Sequence, residues 1–283
     1  MNDREKLTVP SVRGRKRRDG AEALVMVTAY DEPFGRLADA AGVDLILVGD
    51  TLGEVVLGYD DTLHVTIEDV ERAVGAVSRA QPAALVIGDM PWLSYHLGPA
   101  EAVRNAARLI RAGAGAVKLE GGRSRLEVVS ALVRAEIPVM GHLGLTPQSV
   151  HQMGGYRLQG REVSEAMGLV DEAYCLAEAG VFAIVLEGVP AAVAELVTEK
   201  TPVPTIGIGA GPDCDGQVLV IYDLLGLSKR PPARFVRRYA ELGETVTEAV
   251  RRYADDVRKG SFPTNEESYH GSKALREALG LEH

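Results

Sequence analysis

The chain has 283 residues, of which 46% are hydrophobic and 25% charged, with a formal net charge of −9, the profile of a globular protein with ample material for a core. The acidic balance argues against a nucleic-acid binder. No stretch reaches the roughly 18–20 uninterrupted apolar residues of a membrane span, and the first twenty residues lack the apolar run of a secretory signal, so a cytoplasmic location is expected. Cys175 and Cys214 are the only cysteines and make no disulfide framework.

Residues 1–20 form a basic lead-in with Arg13, Arg15, Lys16, Arg17 and Arg18. The cluster is short and carries no interleaved aromatic residues, so it reads as a solvated approach to the first strand rather than a nucleic-acid or membrane arm. Eight apolar runs follow: Leu24–Thr28, Leu45–Gly49, Leu85–Gly88, Ala116–Leu119, Pro138–Gly141, Ala183–Leu186, Pro204–Ile208 and Val218–Tyr222. Several lack polar alternation, as strands buried on both faces of a parallel sheet do. Between them Glu101–Ala112 and Glu165–Ala179 carry apolar residues at helical spacing, and Val193–Val197 follows Pro190, a good first-turn residue. Gly42, Gly113 and Gly180 each stand where a helix ends before the next strand. After Lys229, Phe235–Tyr253 reads as one or two amphipathic helices. Residues 230–260 are expected to pack on the preceding domain, and 261–283 to form a poorly ordered polar tail.

Eight strands with intervening helices make a single (β/α)8 TIM barrel over residues 1–283, with extra C-terminal helices, the leading architecture. An open doubly wound sheet is the alternative, because periodicity does not show closure. No Gly-x-Gly-x-x-Gly follows the first strand, and the late Gly207-Ile-Gly-Ala-Gly211 reads as a tight turn between strand and helix.

Chemically active residues recur where the runs end: Leu-Val-Gly-Asp50, Val-Ile-Gly-Asp89, Val-Lys118-Leu-Glu120, Met-Gly-His142 and Val-Leu-Glu187. One strand-end Asp is ordinarily a helix cap, but in a barrel five such endings share one rim. Carboxylates gathered there repel one another unless a cation sits among them, and a hard ion with oxygen ligands such as magnesium suits them. Asp50 and Asp89 are the expected direct ligands, with Glu120 direct or through a water. One histidine without ligand cysteines makes zinc at His142 a poor fit, and His142 is left a supporting role. Lys118 is one of seven lysines against 24 arginines. It can pair with a substrate carboxylate, form a Schiff base or neutralise Glu120, which alternation puts on the same inward face.

With these residues in view, the sequence resembles the ketopantoate hydroxymethyltransferase family. The resemblance rests on Val27-Thr-Ala-Tyr-Asp31, Val48-Gly-Asp-Thr-Leu-Gly53, Gly88-Asp-Met-Pro91, Val117-Lys-Leu-Glu-Gly-Gly122, Gly141-His-Leu-Gly-Leu-Thr-Pro-Gln-Ser149, Gly154-Gly-Tyr-Arg-Leu-Gln-Gly-Arg161, Val185-Leu-Glu-Gly-Val-Pro190 and Ile206-Gly-Ile-Gly-Ala-Gly211. It implies a barrel of the phosphoenolpyruvate/pyruvate-binding type. It also implies transfer of a hydroxymethyl group from 5,10-methylenetetrahydrofolate to 3-methyl-2-oxobutanoate, through a magnesium-stabilised enolate, as the first step toward pantothenate. On the resemblance Asp50, Asp89 and Glu120 match the metal site, Asp50, Thr51, Asp89 and Lys118 the substrate site, and Glu187 the catalytic base. Thr51 stands where the family usually has Ser, keeping the hydroxyl and adding a methyl group. The resemblance further implies a homodecamer of two stacked pentamers. The rival readings are another magnesium-dependent 2-oxo-acid carbon–carbon lyase of this barrel class and a non-catalytic metabolite-binding barrel. The lyase reading lacks its expected Lys-Lys-Cys-Gly-His loop.

Overall fold

The computed structural model describes residues 4–228 and 231–281. Eight parallel strands close into a barrel in sequence order: β1 Leu24–Thr28, β2 Leu45–Val48, β3 Leu85–Asp89, β4 Ala116–Lys118, β5 Val139–Gly144, β6 Ala183–Glu187, β7 Thr205–Ile208 and β8 Gly216–Leu219. β1 pairs with both β2 and β8, which closes the ring. The open-sheet alternative is thereby removed.

Alternation along the strands sorts the side chains into two layers. Met26, Leu45, Leu47, Leu85, Ile87, Ala116, Met140, Ala183, Val185, Ile206 and Val218 fill the barrel interior. Their outward neighbours, among them Val27, Ile46, Val86, Val117, Val139 and Ile184, pack in the second cluster with Val74, Leu109, Val129 and Leu176 from the surrounding helices. This two-sided burial explains why the strands read as continuous apolar runs. It also sets the register of the rim. Counting in twos from the interior residues reaches Asp89 on β3, Lys118 on β4, His142 on β5 and Glu187 on β6.

Most strands end within a residue of where they are expected, and two differ by more. β5 runs on to Gly144, so His142 stands within the strand and not after it. β8 is Gly216–Leu219, two residues earlier than Val218–Tyr222, and Ile221 begins a helical turn instead. Gly216 opens β8 because its α-carbon lies against β1: a Cβ there would stand 2.5 Å from Leu24 O. The glycine-rich turn after β7 is a tight turn, with φ of +62° at Gly209, where a Cβ would stand 2.7 Å from the Phe235 ring.

The lead-in is not uniformly solvated. Val9–Arg13 is a helix whose Val12 is fully buried and joins the interior cluster. Arg13, Arg17 and Arg18 are exposed, but Lys16 is buried. Its ammonium donates to Asp215 Oδ2 at 2.6 Å, Thr198 O at 2.8 Å and Val203 O at 3.2 Å. A cation with three acceptors in reach tolerates burial where an unpaired one would not.

The chain divides into a barrel unit that runs to Leu224 and takes in Ser228–Arg237, and a smaller unit of Leu225–Leu227 with the chain from Arg238 onward. In the smaller unit the long helix is Leu242–Lys259, with none of its residues buried. It starts later than the expected Phe235, where Leu242 N–H donates to Leu225 O at 2.9 Å. A short helix, Lys273–Ala278, interrupts the polar tail. Among the described residues no helix is long and apolar enough to cross a membrane.

Candidate active site

Asp50, Asp89, Lys118, Glu120 and His142 are all buried, each 4% exposed or less, and they gather at the C-terminal end of the barrel. Asp89 and Lys118 are register partners on β3 and β4. Lateral neighbours on parallel strands point the same way, and the Lys118 ammonium meets both Asp89 oxygens, at 2.6 and 2.7 Å. The ion pair of Lys118 is therefore with Asp89 and not with Glu120. Glu120 lies beyond the end of β4, where simple alternation no longer holds, and it reaches across to β5.

There His142 stands between two carboxylates. Its Nδ1 is 3.5 Å from Glu120 Oε1 and its Nε2 is 3.4 Å from Glu187 Oε2. These are ion-pair separations, and neither ring nitrogen makes a hydrogen bond of good geometry. Glu187 is the most open of the group, its side chain 18% exposed. Thr51 is half-buried at the start of the turn after β2.

Two residues that sequence reasoning left without a role complete the cluster. Gln148 and Tyr95 are both buried, and the Tyr95 hydroxyl donates to Gln148 Oε1 at 2.6 Å. Gln148 Nε2 donates to Asp50 Oδ2 at 2.8 Å. The backbone N–H of Gln148 donates to Glu120 Oε2 at 3.1 Å. A glutamine in a loop after a strand reads as turn chemistry. Its only sequence signal was membership of the long Gly-His-Leu-Gly-Leu-Thr-Pro-Gln-Ser motif.

The electrostatics follow from crowding. Burial raises the Asp50 pKa well above the carboxylate range, and the charges of Asp89 and Glu120 push it further. Burial also raises Asp89, though Lys118 opposes it. Burial works against the Lys118 ammonium, but Asp89, Glu120 and Asp50 together outweigh it and hold its pKa above the ordinary value. The same contest raises His142 to about 9, burial being overcome by Glu120 and Glu187. Glu120 is held below its usual value because His142, Lys118 and the Gln148 N–H outweigh its burial.

Four carboxylates thus face one ammonium and one imidazole. Among the described residues no three His, Cys, Asp or Glu side chains stand at a spacing that closes round one ion. The donor chemistry nevertheless fits a hard dication: every acidic donor is an oxygen, and Glu120 Oε1 is a buried acceptor with no hydrogen bond. An arrangement of this kind can hold an oxyacid by its charge, withdraw electrons from it and take a proton from it.

Comparison with known proteins decides the lineage. The sequence profile described as ketopantoate hydroxymethyltransferase matches residues 6–265. The chain belongs to that family. It is an enzyme of the transferase class, as the names of its relatives state. The 3-methyl-2-oxobutanoate hydroxymethyltransferase of Caldicellulosiruptor saccharolyticus is 55% identical over 90% of this chain and 96% of its own length. That of Koribacter versatilis is 50% identical over 98% of this chain and 94% of its own. Among solved structures, a 2,3-dimethylmalate lyase of the PEP mutase/isocitrate lyase superfamily superposes with a TM-score of 0.58 at 19% identity, over 97% of this chain and 95% of that one. A phosphonopyruvate hydrolase solved with oxalate and Mg2+ gives 0.56 at 15% identity, over the same shares of each chain. These two establish the barrel class, the one expected from the sequence.

Proposed function

We propose that this family member transfers a hydroxymethyl group to 3-methyl-2-oxobutanoate. With 5,10-methylenetetrahydrofolate as donor and a water consumed, the products are 2-dehydropantoate and tetrahydrofolate, the first step of a route to pantothenate. The observation that carries the reading is the convergence, on one buried rim, of Lys118, the three carboxylates Asp50, Asp89 and Glu120, and the more open Glu187.

Asp50, Asp89 and Glu120 would hold a magnesium ion. When bound, it would supply Lewis acidity, drawing electron density from the 2-oxo acid and acidifying its C3 proton. The protein's own groups do the rest. Lys118 offers its ammonium to the substrate carboxylate, exchanging the Asp89 contact for a second anion of the same kind. Thr51, just after β2 on the same rim, supplies a hydroxyl to that carboxylate. Glu187 takes the C3 proton on Oε2 or its partner oxygen. His142, 3.4 Å from that carboxylate, steadies the ring side of the base and holds Glu120 on its other face. The carbon so freed of its proton forms a bond to the one-carbon unit of the folate; both carbon–nitrogen bonds of that unit break, the two folate nitrogens end with protons, and the water supplies the hydroxyl oxygen. Rim residues beyond this set would cradle the pterin.

The direct test is exchange of the C3 proton of 3-methyl-2-oxobutanoate in heavy water with magnesium and no folate. The reading expects exchange that stops on chelation. A protein that shows none would overturn it in favour of a non-catalytic metabolite-binding barrel, and one that instead cleaves a different 2-oxo acid would overturn it in favour of a lyase. A homodecamer of two stacked pentamers is part of the same proposal. In its support Val246, Val250, Tyr253 and Val257 recur at helical spacing on Leu242–Lys259 and are all exposed, an apolar face suited to burial between copies. Light scattering showing a monomer at micromolar concentration would count against it.

A further inference from the structure

The reaction as described assigns nothing to Gln148, yet its side chain makes three hydrogen bonds at the rim. It sits in the turn Pro147–Ser149 after β5 and is 5% exposed. One end of its amide faces two acceptors, Asp50 Oδ2 at 2.8 Å and Met90 O at 3.0 Å. Only the nitrogen has two hydrogens to give, so the orientation of the amide is determined by its neighbours. The other end is then an acceptor, and it takes the Tyr95 hydroxyl hydrogen at 2.6 Å. With that hydrogen committed, the Tyr95 oxygen accepts the backbone N–H of Glu120 at 3.3 Å. The backbone N–H of Gln148 itself donates to Glu120 Oε2 at 3.1 Å.

The result is a closed circuit. One residue holds one oxygen of Asp50 through its side chain and one oxygen of Glu120 through its main chain. The other oxygen of each accepts no hydrogen bond: Glu120 Oε1 is buried and faces His142 Nδ1 at 3.5 Å, and among the described residues Asp50 Oδ1 accepts none. An amide placed only to stabilise the loop would bond to backbone groups and leave carboxylates alone. Here two carboxylates from different strand ends are each tied by Gln148 through one oxygen and keep the other without a hydrogen bond.

We propose that Gln148, braced by Tyr95, is a positioning residue that presents the remaining oxygens of Asp50 and Glu120 to a divalent cation, which would take the place of His142 beside Glu120 Oε1. The inference rests on the reading that this rim binds such a cation. Groups that orient metal ligands from outside are commonly worth about 10–100-fold in metal affinity. The role differs from that of the ligands, because Gln148 would touch neither the cation nor the substrate.

The test titrates Mn2+ into metal-stripped wild type, Gln148→Met and Tyr95→Phe by calorimetry, with far-UV circular dichroism confirming the fold of each. Gln148→Met keeps the bulk and the backbone N–H but removes both side-chain donors. It is expected to weaken Mn2+ binding by about 10–100-fold, with C3 exchange recovering as the metal concentration is raised. Tyr95→Phe removes one oxygen, leaves Gln148 in place but unbraced, and is expected to lose less, in the same direction. If Gln148→Met does not fold, Tyr95→Phe decides. Wild-type Mn2+ affinity in the folded variants would overturn the positioning role while leaving the cation reading intact. If wild type itself binds no Mn2+, the cation reading fails, and this inference with it.

Discussion

Two buried lysine–aspartate pairs stand at opposite ends of the same barrel, and they are built differently. At the base, Lys16 donates to Asp215 and to two carbonyls. Asp215 in turn accepts the backbone N–H groups of Arg17 and Thr205, at 2.8 and 2.9 Å. Charge and hydrogen bonds are matched, and the pair ties the lead-in to the chain around β7 and β8. At the rim, both hydrogen bonds of the Lys118 ammonium go to Asp89, while Asp50, Glu120 and Glu187 add negative charge that nothing nearby cancels in full. The two lysines show the contrast in their proton affinity: burial prevails at Lys16 and lowers its pKa, whereas the surrounding carboxylates prevail at Lys118 and raise it. A pair that serves the fold is closed, and a pair that serves chemistry is left with charge to share. Substitutions at the two ends should therefore separate, one set reporting on activity and the other on stability.

The largest effect is expected at the rim. Glu187→Gln keeps size and hydrogen bonding but removes the basic oxygen, and C3 proton exchange should fall by about 10²–10⁴-fold. Binding of magnesium and of 3-methyl-2-oxobutanoate should stay near wild type, as calorimetry would show. Exchange at the wild-type rate would remove Glu187 as the base and leave His142 or a bound hydroxide to take the proton. At the base the matching experiment is Asp215→Ala, which strands the Lys16 ammonium in the interior. Removing one partner of a buried pair costs about 3–5 kcal/mol, so urea unfolding should shift strongly. The activity of the protein that remains folded should be unchanged. A base variant that lost exchange activity without losing stability would erase the distinction between the two ends.

How much of this contrast the sequence carried depends on the kind of signal. The buried strands were legible because two-sided burial leaves uninterrupted Val, Ile and Leu runs, and β1 was read to its observed limits. Asp50, Asp89, Lys118, Glu120, His142 and Glu187 stood out because an ionisable group directly after such a run is chemically conspicuous. Closure of the barrel, the start of β8 at a glycine packed against Leu24, and the pairing of Lys118 with Asp89 are long-range matters of register, which local pattern does not encode. Lys16 was read as solvated because its partner lies 199 residues away. Gln148 was passed over for the same reason: its meaning comes from Asp50, Met90, Tyr95 and Glu120, which reach it from three other strand ends.

A smaller effect is expected from Lys118→Ala, which removes a charge-assisted contact to the substrate carboxylate worth about 1.5–3 kcal/mol, or roughly ten- to a hundred-fold in affinity. Because Asp89 loses its partner as well, the cation and the 2-oxo acid should be titrated separately: the acid is expected to lose affinity in the presence of saturating magnesium. Borohydride added with substrate distinguishes the Schiff-base alternative. A covalent adduct trapped on Lys118 would replace the electrostatic role with a covalent one.

The gentlest prediction concerns pH and again sets rim against base. In the metal-free protein the His142 pKa is raised to about 9 by Glu120 and Glu187, against about 6.5 in the unfolded chain. Below pH 6.5 both states carry the proton, and the stabilisation from the charged imidazole is fully present. Between about 6.5 and 9 the folded state keeps a proton that the unfolded state has released, so stability falls as pH rises, by at most about 1.4 kcal/mol per pH unit for one group. Above 9 the contribution is gone. His142→Gln should flatten this part of the profile, and the difference between the two proteins reports the imidazole together with the Glu120 carboxyl that it holds down. Urea unfolding at intervals from pH 6 to pH 9.5, with chelator present, measures it. Asp215→Ala perturbs the other end of the barrel and leaves His142 and its two carboxylates in place: it should lower stability across the whole range. Parallel curves for wild type and His142→Gln would mean that His142 is neutral in the folded protein, and that Glu120 and Glu187 face an uncharged ring.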